Sequence, residues 1–330
     1  MARDIASEVA SFQEKIAILR KEIGRMIVGQ REVIDGVILC LLADGQVLLE
    51  GVPGLGKTML VRTLSEAIDC QFNRIQFTPD MMPSDITGTN MIVEDERGNK
   101  VFEFQKGPVF TNILLADEIN RATPKTQAAL LEAMQEKSVT VGGHTYKLEA
   151  PFFVMATQNP LEMEGTYPLP EAQIDRFMFK LIVSYPSRQD ELLILRRMAQ
   201  VHPASDITPV LSPDELRQLR LLLDEVLIED KVQEYIVDLV AATRDPAACG
   251  LDDLAPLIRF GASPRATIML ALAARANALM QQRNYTTPND VKAVAMDILR
   301  HRVAVTYEAE AEDISPDHIV QKILDSVRVP

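Results

Sequence analysis

The sequence predicts an α/β protein in which a parallel β-sheet wrapped by helices is followed by a smaller all-helical domain. Three observations favour this fold class. A phosphate-loop motif follows an apolar, strand-like run, short β-branched or aromatic runs then alternate with helical segments, and the alternation stops at Tyr185-Pro186. Alternating strands and helices indicate parallel pairing, because a parallel crossover needs a helix to return the chain. We therefore predict an α/β domain at residues 1–185 and a helical domain at residues 186–330.

The strands of the first domain are predicted from short apolar runs. The run at residues 46–49 precedes the phosphate loop and is typical of a strand that is buried on both faces. Residues 59–68 follow the loop and carry apolar side chains at helical spacing, which predicts a helix. Further strands are predicted at residues 72–77, 113–116, 152–157 and 177–183.

The second domain is predicted from helix start signals. Ser212, Thr287 and Ser315 are each followed by a proline, and an acidic residue lies within the next two positions. A hydroxyl at the cap and a proline at the first helical position are typical of helix N-termini, since both suit the unpaired backbone N–H groups there. No internal repeat or low-complexity tract interrupts this pattern, so we exclude a solenoid.

Composition limits the functional classes. The chain has 330 residues, 47% hydrophobic content and a formal charge of −13, which disfavours a protein that coats nucleic acid with a basic face. The longest uncharged helical stretches fall well short of the roughly 20 residues needed to cross a bilayer, so we expect no membrane insertion. Three scattered cysteines and four separated histidines lack metal-ligand spacing, and no signal peptide is apparent. We expect a cytoplasmic protein.

The phosphate loop is the most specific motif in the chain. Residues 51–58 read GVPGLGKT and match the complete G-x-x-x-x-G-K-[ST] pattern. The glycines allow backbone N–H groups to turn around a β-phosphate, Lys57 can reach the β- and γ-phosphate oxygens, and the Thr58 hydroxyl can join a magnesium shell. The motif predicts binding of a nucleoside triphosphate with Mg²⁺.

Two acidic residues and one amide follow predicted strands. Asp117 and Glu118 end the apolar run 113–116, and Asn159 follows the run 152–157. Because side chains alternate along a strand, the two carboxylates are expected to point in different directions, so that Asp117 can face the metal and Glu118 the attacking water. The carboxyl edge of a parallel sheet is where such proteins bind ligands, and there Asn159 can orient water or sense the γ-phosphate.

Three arginines are candidates for the positive charge that triphosphate hydrolysis requires. Arg176 precedes the last predicted strand and can point into a neighbouring subunit. Arg265 follows Ser263-Pro264 and is therefore predicted to lie in the first turn of a helix. The helix dipole disfavours a cation at that end, and a nearby phosphate would offset this cost. Arg121 follows the carboxylate pair by three residues and is equally well explained as a surface residue.

Together these motifs resemble those of AAA+ ATPases and, in detail, the MoxR family. The sequences of residues 51–58, 117–122, 156–160 and 261–266 are similar to the motifs of that family. The resemblance extends over nearly the whole chain. The resemblance implies a five-stranded αβα core, a helical lid and a ring, usually a hexamer, with ATP between subunits. MoxR relatives also imply a protein client with a von Willebrand factor A domain, whose maturation or metal insertion the ATPase assists.

The resemblance also implies roles for individual residues. Glu118, Asn159, Arg176 and Arg265 are expected to be catalytic, as the Walker B glutamate, sensor 1, arginine finger and sensor 2. Thr58 and Asp117 are expected to hold magnesium. Nucleotide contacts are expected from the adenine-side residues Val28 and Gly29 and from the phosphate-side residues Gly51, Pro53, Gly54, Leu55, Gly56, Lys57, Thr58 and Met59.

Two β-hairpins are predicted as insertions in the alternating pattern. Residues 91–93 and 101–104 flank a turn that contains Arg97-Gly98-Asn99, and residues 138–141 and 145–148 flank Gly142-Gly143-His144. In the chelatase-like branch of AAA+ proteins, such insertions project towards the client. The alternative is that both hairpins are surface features without a role in client binding.

Other functions remain open from the sequence alone. A magnesium-chelatase ATPase subunit has similar motifs, and a DNA-acting helicase is disfavoured by the acidic composition. A nucleotide-dependent structural switch without turnover is also compatible with the phosphate loop. Glu118 argues against the switch, because a protein that does not hydrolyse its ligand has no need of a water-activating carboxylate.

Overall fold

A computed structural model describes residues 5–94, 98–160, 165–201 and 206–330, with side chains described from residue 10 onwards. Arg97 of the predicted hairpin turn and His202 lie outside the described residues. The elements of the first part of the chain are α1 (Ile5–Met26), α2 (Arg31–Leu42), β1 (Val47–Glu50), α3 (Lys57–Ala67), β2 (Phe72–Gln76), α4 (Pro83–Thr87), β3 (Gly88–Glu94), β4 (Lys100–Lys106), β5 (Ile113–Asp117), α5 (Pro124–Glu136), β6 (Ser138–Val141), β7 (His144–Lys147), β8 (Phe153–Gln158), α6 (Glu171–Ile174) and β9 (Phe179–Ile182).

The second part of the chain is helical apart from one short ribbon. Its elements are α7 (Arg188–Met198), α8 (Pro213–Asp224), α9 (Asp230–Arg244), β10 (Ile258–Phe260), α10 (Pro264–Met280), α11 (Pro288–Leu299), β11 (Ala304–Val305), α12 (Tyr307–Ala311) and α13 (Pro316–Ser326). The antiparallel pair of β10 and β11 was not predicted from the sequence. Its strands are three and two residues long, too short for a periodic signal.

Five parallel strands form the central sheet, in the order β2-β5-β8-β1-β9. This confirms the predicted parallel sheet. Strand β1 lies between β8 and β9, with Leu48 opposite both Ala156 and Lys180. The carboxyl ends of β5, β8 and β1 are therefore neighbours, and the residues that follow them meet at one edge.

The sheet separates two hydrophobic clusters. Val47 and Leu49 of β1 belong to the cluster that contains α1, α2, α3 and the long helices of the second part, whereas Leu48 belongs to the cluster beneath α5. Side chains alternate between the faces of a strand, so a strand that is buried on both faces reads as continuously apolar. The helical part packs into the first cluster through α10, whose Ala266 and Leu270 are fully buried.

The predicted helix caps are present. Ser212 and Thr287 each form a capping box with the acidic residue three positions later, and the Ser315 hydroxyl accepts a hydrogen bond from the His318 N–H. Among the described residues, no helix combines the length and the apolar character needed to cross a bilayer.

Both predicted hairpins are present, as β3–β4 and β6–β7. The sequence did not predict that they pack against each other. The Phe104 ring of β4 stacks on the Tyr146 ring of β7 with a centroid distance of 4.1 Å. The two hairpins therefore form one unit, and Ile92 and Phe102 of β3–β4 remain 61% and 76% exposed.

Candidate nucleotide site

The phosphate loop connects β1 to α3 and leaves an anion-binding cradle at the start of the helix. Gly56 caps α3 with φ of 77°, a left-handed conformation that glycine adopts without a steric penalty. Gly51 is buried, and a Cβ there would lie 2.6 Å from the Val183 carbonyl oxygen, so the close approach of the loop to the end of β9 requires glycine. The loop beyond it opens to the surface, with Pro53 and Gly54 exposed.

The first turn of α3 supplies donors for an anion. An α-helix leaves its first N–H groups without intrahelical partners, and its dipole favours negative charge at that end. Helix α3 has no side-chain cap, and a Cβ at Gly54 or Gly56 would meet open space. Leu55, Thr58 and Met59 are half-buried around this space. The cradle therefore fits a phosphate group.

Lys57 lies between the loop and the acidic residues of β5. Its Nζ donates a hydrogen bond of 2.5 Å to the Gly51 carbonyl oxygen. Burial lowers the pKa of Lys57, and the carboxylates of Asp117, Glu118 and Glu50 oppose this shift. The ammonium group therefore lies near enough to these carboxylates for their charges to act on it.

Asp117 and Glu118 are held in different orientations, but not by strand alternation as the sequence analysis assumed. Strand β5 ends at Asp117, and Glu118 has φ of 57° and ψ of 50°, in the left-handed region. This turn of the backbone, rather than the pleat, separates the two carboxylates. A glutamate rarely adopts this conformation, and here the Thr157 hydroxyl holds it by accepting a 2.8 Å hydrogen bond from the Glu118 N–H.

Three residues that hold these carboxylates were not predicted from the sequence. The Thr157 hydroxyl donates to Asp117 Oδ1 at 2.6 Å, and Arg74 of β2 forms an ion pair with Asp117 Oδ2 at 2.7 Å. Gln76 of β2 donates to Glu118 Oε2 at 2.8 Å. The signal was present, because Arg74 and Gln76 are two residues apart and therefore face the same way at the end of a predicted strand.

Asn159 and Arg121 also lie near the carboxylates. Asn159 follows β8 directly and is 8% exposed. Because β8 is flanked by β5 and β1, this residue lies between the ends of those two strands. Arg121 Nε lies 3.1 Å from Glu118 Oε2 and forms an ion pair with it. Arg121 thus contacts the site of its own chain.

The residues predicted on the adenine side lie beside the phosphate loop. Gln30 donates a 3.2 Å hydrogen bond to the Leu55 carbonyl oxygen, which ties the segment after α1 to the loop. Val28 is buried, and Gly29 approaches the Asp190 carboxylate so closely that a Cβ would lie 3.0 Å from it. Cavities of about 560 and 570 Å³ flank Asp190, the first lined by Gln30 and Tyr185 and the second by Val28 and Gly29.

Arg176 and Arg265 lie at the opposite edge of the sheet. Together with Gln46 they line a cavity of about 270 Å³. Gln46 immediately precedes β1 and Gly51 immediately follows it. A strand rises about 3.3 Å per residue, so this cavity and the phosphate loop are separated by roughly 15 Å along β1. A single chain therefore does not bring these arginines to its own Lys57.

Both arginines have side-chain nitrogens with weak or absent hydrogen bonding among the described residues. Arg176 Nη1 donates to the Leu131 carbonyl oxygen at 3.1 Å, while its Nε is buried and has no hydrogen-bond partner among the described residues. Arg265 lies in the first turn of α10, as predicted, where Ser263 accepts a hydrogen bond from its N–H. The guanidinium of Arg265 is 3.4 Å from Asp175 Oδ2, a long contact for an ion pair.

These features define a phosphate-loop nucleotide-binding protein with a five-stranded parallel core and a helical lid. Two family models match the chain: "ATPase family associated with various cellular activities (AAA)" at residues 46–179 and "AAA lid domain" at residues 253–323. The first matched region contains the phosphate loop and four of the five strands of the central sheet, and it ends at the first residue of β9. The second contains the elements from β10 to α12 and most of α13.

Relatives cover nearly the whole chain. "Chaperone MoxR1" of Mycobacterium tuberculosis is 44% identical over 329 residues, which is 100% of this chain and 85% of that protein. "Uncharacterized protein YeaC" of Bacillus subtilis is 47% identical over 94% of this chain and 93% of that protein. A solved structure from Cytophaga hutchinsonii, described as a candidate ATPase, is 46% identical, has a TM-score of 0.92 and covers 98% of this chain and 97% of that one. The chain therefore belongs to the MoxR family of AAA+ ATPases.

The donor set is compatible with magnesium. Mg²⁺ prefers oxygen ligands and is usually held by one or two protein groups together with phosphate oxygens and water. Thr58 and Asp117 offer a hydroxyl and a carboxylate beside the cradle. Within the described part of the chain, no cluster of three or more His, Cys, Asp or Glu residues forms an all-protein metal site, so phosphate oxygens and water would supply the remaining ligands of a magnesium ion here.

The Thr157 hydroxyl is expected to be a stability determinant of the site. Thr157→Val keeps the shape of the side chain but removes both hydrogen bonds, to Asp117 and from the Glu118 N–H, at a position that is 1% exposed. We expect the free energy of unfolding to fall by about 1–3 kcal/mol, as measured by urea denaturation. Thr157→Ser keeps the hydroxyl and is the control. Equal loss of stability in both variants would contradict the assigned role.

Proposed function

We propose that this protein hydrolyses ATP at sites formed between two copies of the chain in a ring. One chain supplies the phosphate loop and the carboxylates, and its neighbour supplies Arg176 and Arg265. The observation that carries this proposal is the separation of these arginines from Lys57 across the length of β1. Hydrolysis of a triphosphate requires positive charge near the γ-phosphate beyond that of the lysine, and only a second chain can bring these arginines to it.

The residues of one chain divide the chemistry among themselves. Lys57 and the N–H groups of α3 bind the phosphates, and the Glu118 carboxylate accepts a proton from the attacking water. Asn159 orients that water from its position between β5 and β1. Thr58 and Asp117 would hold magnesium, and a magnesium ion bound there would neutralise phosphate charge. Arg74 already occupies one Asp117 oxygen, so it must share that oxygen with the metal or release it.

The two arginines act on the triphosphate held by the neighbouring chain. Arg176 Nε is a buried donor that a phosphate oxygen would satisfy. Among the described residues the Arg265 guanidinium pairs with Asp175 at 3.4 Å, a weak contact to give up, and its position at a helix N-terminus favours an anionic partner. Together they neutralise the charge that develops as the phosphoryl group leaves.

The nucleoside is expected beside Val28 and Gly29. These residues adjoin the phosphate loop through Gln30 and line a cavity with Asp190, which is the N3 residue of α7 in the lid. A base bound there would touch both the core and the lid. ATP binding would in this way stabilise one orientation of the lid relative to the sheet.

The mechanical output is the remodelling of a client protein. The relative from Mycobacterium tuberculosis bears the name of a chaperone, and we expect a similar role here, in a hexameric ring that acts on a client with a von Willebrand factor A domain. Ile92 and Phe102 lie opposite each other on the β3–β4 hairpin and are more than half exposed. This apolar surface is a suitable contact for the client.

The three cysteines are free thiols, which suits a cytoplasmic location.

Glu118→Gln is expected to separate binding from hydrolysis. The amide has nearly the same size as the carboxylate but does not accept a proton from water. We expect nucleotide affinity close to that of the wild type and a fall in kcat of about 100-fold or more, as measured by phosphate release. Glu66→Gln, on the exposed face of α3, is the control. Phosphate release at the wild-type rate from the Glu118 variant would contradict hydrolysis at this site.

Mixing two inactive variants tests whether Arg176 acts in trans. Lys57→Ala removes the phosphate-loop lysine, and Arg176→Ala removes the arginine that its neighbour needs. In a 1:1 mixture, about a quarter of the interfaces in a randomly assembled cyclic ring combine an intact loop with an intact arginine. We therefore expect turnover to recover to about that fraction of the wild-type value.

The control for this experiment is Arg62→Ala, because Arg62 is an exposed arginine of α3 that pairs with Glu66. This variant alone should keep wild-type turnover. A mixture that stays inactive at every ratio would show that Arg176 serves only its own chain. The proposal that the site forms between two chains would then be wrong.

A further inference from the structure

Arg302 is a buried arginine of the lid that has no part in the proposed chemistry. It follows α11, and its side chain is 1% exposed. Burial lowers the pKa of Arg302 to about 10, and the Asp175 carboxylate opposes the shift, so the guanidinium remains protonated at neutral pH. A buried charge of this kind is costly unless it is paired and its donors are satisfied.

The donors of Arg302 are directed at the segment that carries Arg176. Nε donates to Asp175 Oδ1 at 2.9 Å, and Nη2 donates to the Asp175 and Phe177 carbonyl oxygens at 2.8 and 2.5 Å. Nη1 donates to the Met178 carbonyl oxygen at 3.2 Å. The lid therefore holds the backbone on both sides of Arg176.

The Asp175 carboxylate connects this contact to the second arginine. It accepts hydrogen bonds from the Ser263 hydroxyl at 2.9 and 3.1 Å, and it lies 3.4 Å from Arg265 Nη1. Ser263 caps α10, so the start of that helix is fixed to the same carboxylate that pairs with Arg302. Asp175 and Arg302 thus link the two arginines that line the 270 Å³ cavity.

We propose that Arg302 and Asp175 form a clamp that positions Arg176 and Arg265 as a pair, so that movement of the lid advances or withdraws both arginines from the neighbouring chain's triphosphate. This inference rests on the proposed function, because it assigns a regulatory element to the same trans site. Arg302 and Asp175 are positioning residues. They make no contact with the ligand, and they act through the two arginines.

An arginine is required for this geometry. The planar guanidinium directs five N–H donors in fixed directions, whereas a lysine carries three donors on one rotatable atom. Lysine at residue 302 would keep the charge and could still pair with Asp175. It could not simultaneously hold the carbonyl groups of Asp175, Phe177 and Met178. Arg302→Lys therefore loosens the Arg176 segment and leaves the charge in place.

The test measures turnover, nucleotide affinity and the melting temperature of the full-length variants Arg302→Lys and Asp175→Asn. We expect kcat to fall by about tenfold or more with little change in nucleotide affinity, since the phosphate loop is untouched. We also expect each variant to regain activity when it is mixed 1:1 with Lys57→Ala, whose clamp is intact. Asp175→Asn keeps the side-chain size and provides the test if Arg302→Lys does not fold.

The matched control is Arg283→Lys. Arg283 pairs with the buried Asp290 at 2.6 Å, entirely within the lid, so its substitution should lower the melting temperature and leave turnover per folded chain unchanged. A loss of stability without loss of kcat in the Arg302 and Asp175 variants would overturn the clamp. A second result would also overturn the clamp: the Arg302 and Asp175 variants lose kcat and do not regain turnover when mixed with Lys57→Ala, although Arg176→Ala does regain turnover in the same mixture. If the mixture of Arg176→Ala with Lys57→Ala also stays inactive, the proposal of a site formed between two chains is wrong, and the clamp is then wrong as well.

Discussion

The parallel pairing of five strands is the constraint on which the site depends. Because β5, β8 and β1 run in the same direction and lie side by side, the residues that follow them meet at one edge. Lys57, Asp117 and Asn159 come from three separate parts of the sequence and are gathered by this arrangement alone. The same constraint excludes Arg176 and Arg265, which lie beside Gln46 at the start of β1. In the proposed mechanism the sheet is thus both the scaffold of the site and the reason that a second chain is needed to complete it.

The carboxylates beside the phosphate loop are held by opposing charges and hydrogen bonds. Arg74 and the Thr157 hydroxyl each contact one oxygen of Asp117, while Gln76 and Arg121 contact Glu118. The left-handed conformation of Glu118 costs backbone energy, which the surrounding contacts offset. Such a network preorganises the acidic pair before nucleotide binds. At the other edge, Asp175 plays a comparable part, because it holds Ser263, Arg265 and Arg302 through one carboxylate.

Much of the fold followed from local patterns, because strands buried on both faces and capped helices leave strong signals. The run at residues 46–49 and the caps at Ser212 and Thr287 are examples. The identity of the phosphate-loop residues was equally accessible, since backbone geometry dictates the glycines. The orientation of Glu118 could not be predicted from the sequence, because this residue has a left-handed backbone conformation that breaks the strand alternation assumed for it. Contacts between distant segments, such as Arg302 with Asp175 or Phe104 with Tyr146, depend on tertiary packing and have no local signature.

The central claim is that a complete site requires two chains, and the dependence of turnover on protein concentration tests it most directly. Phosphate release per chain should be measured across a dilution series with saturating ATP, and the assembly state should be followed in parallel by light scattering. We predict that turnover per chain falls in step with the loss of assemblies, because isolated chains keep the phosphate loop but lose the neighbouring arginines. Turnover per chain that stays constant when light scattering reports only single chains would contradict the account.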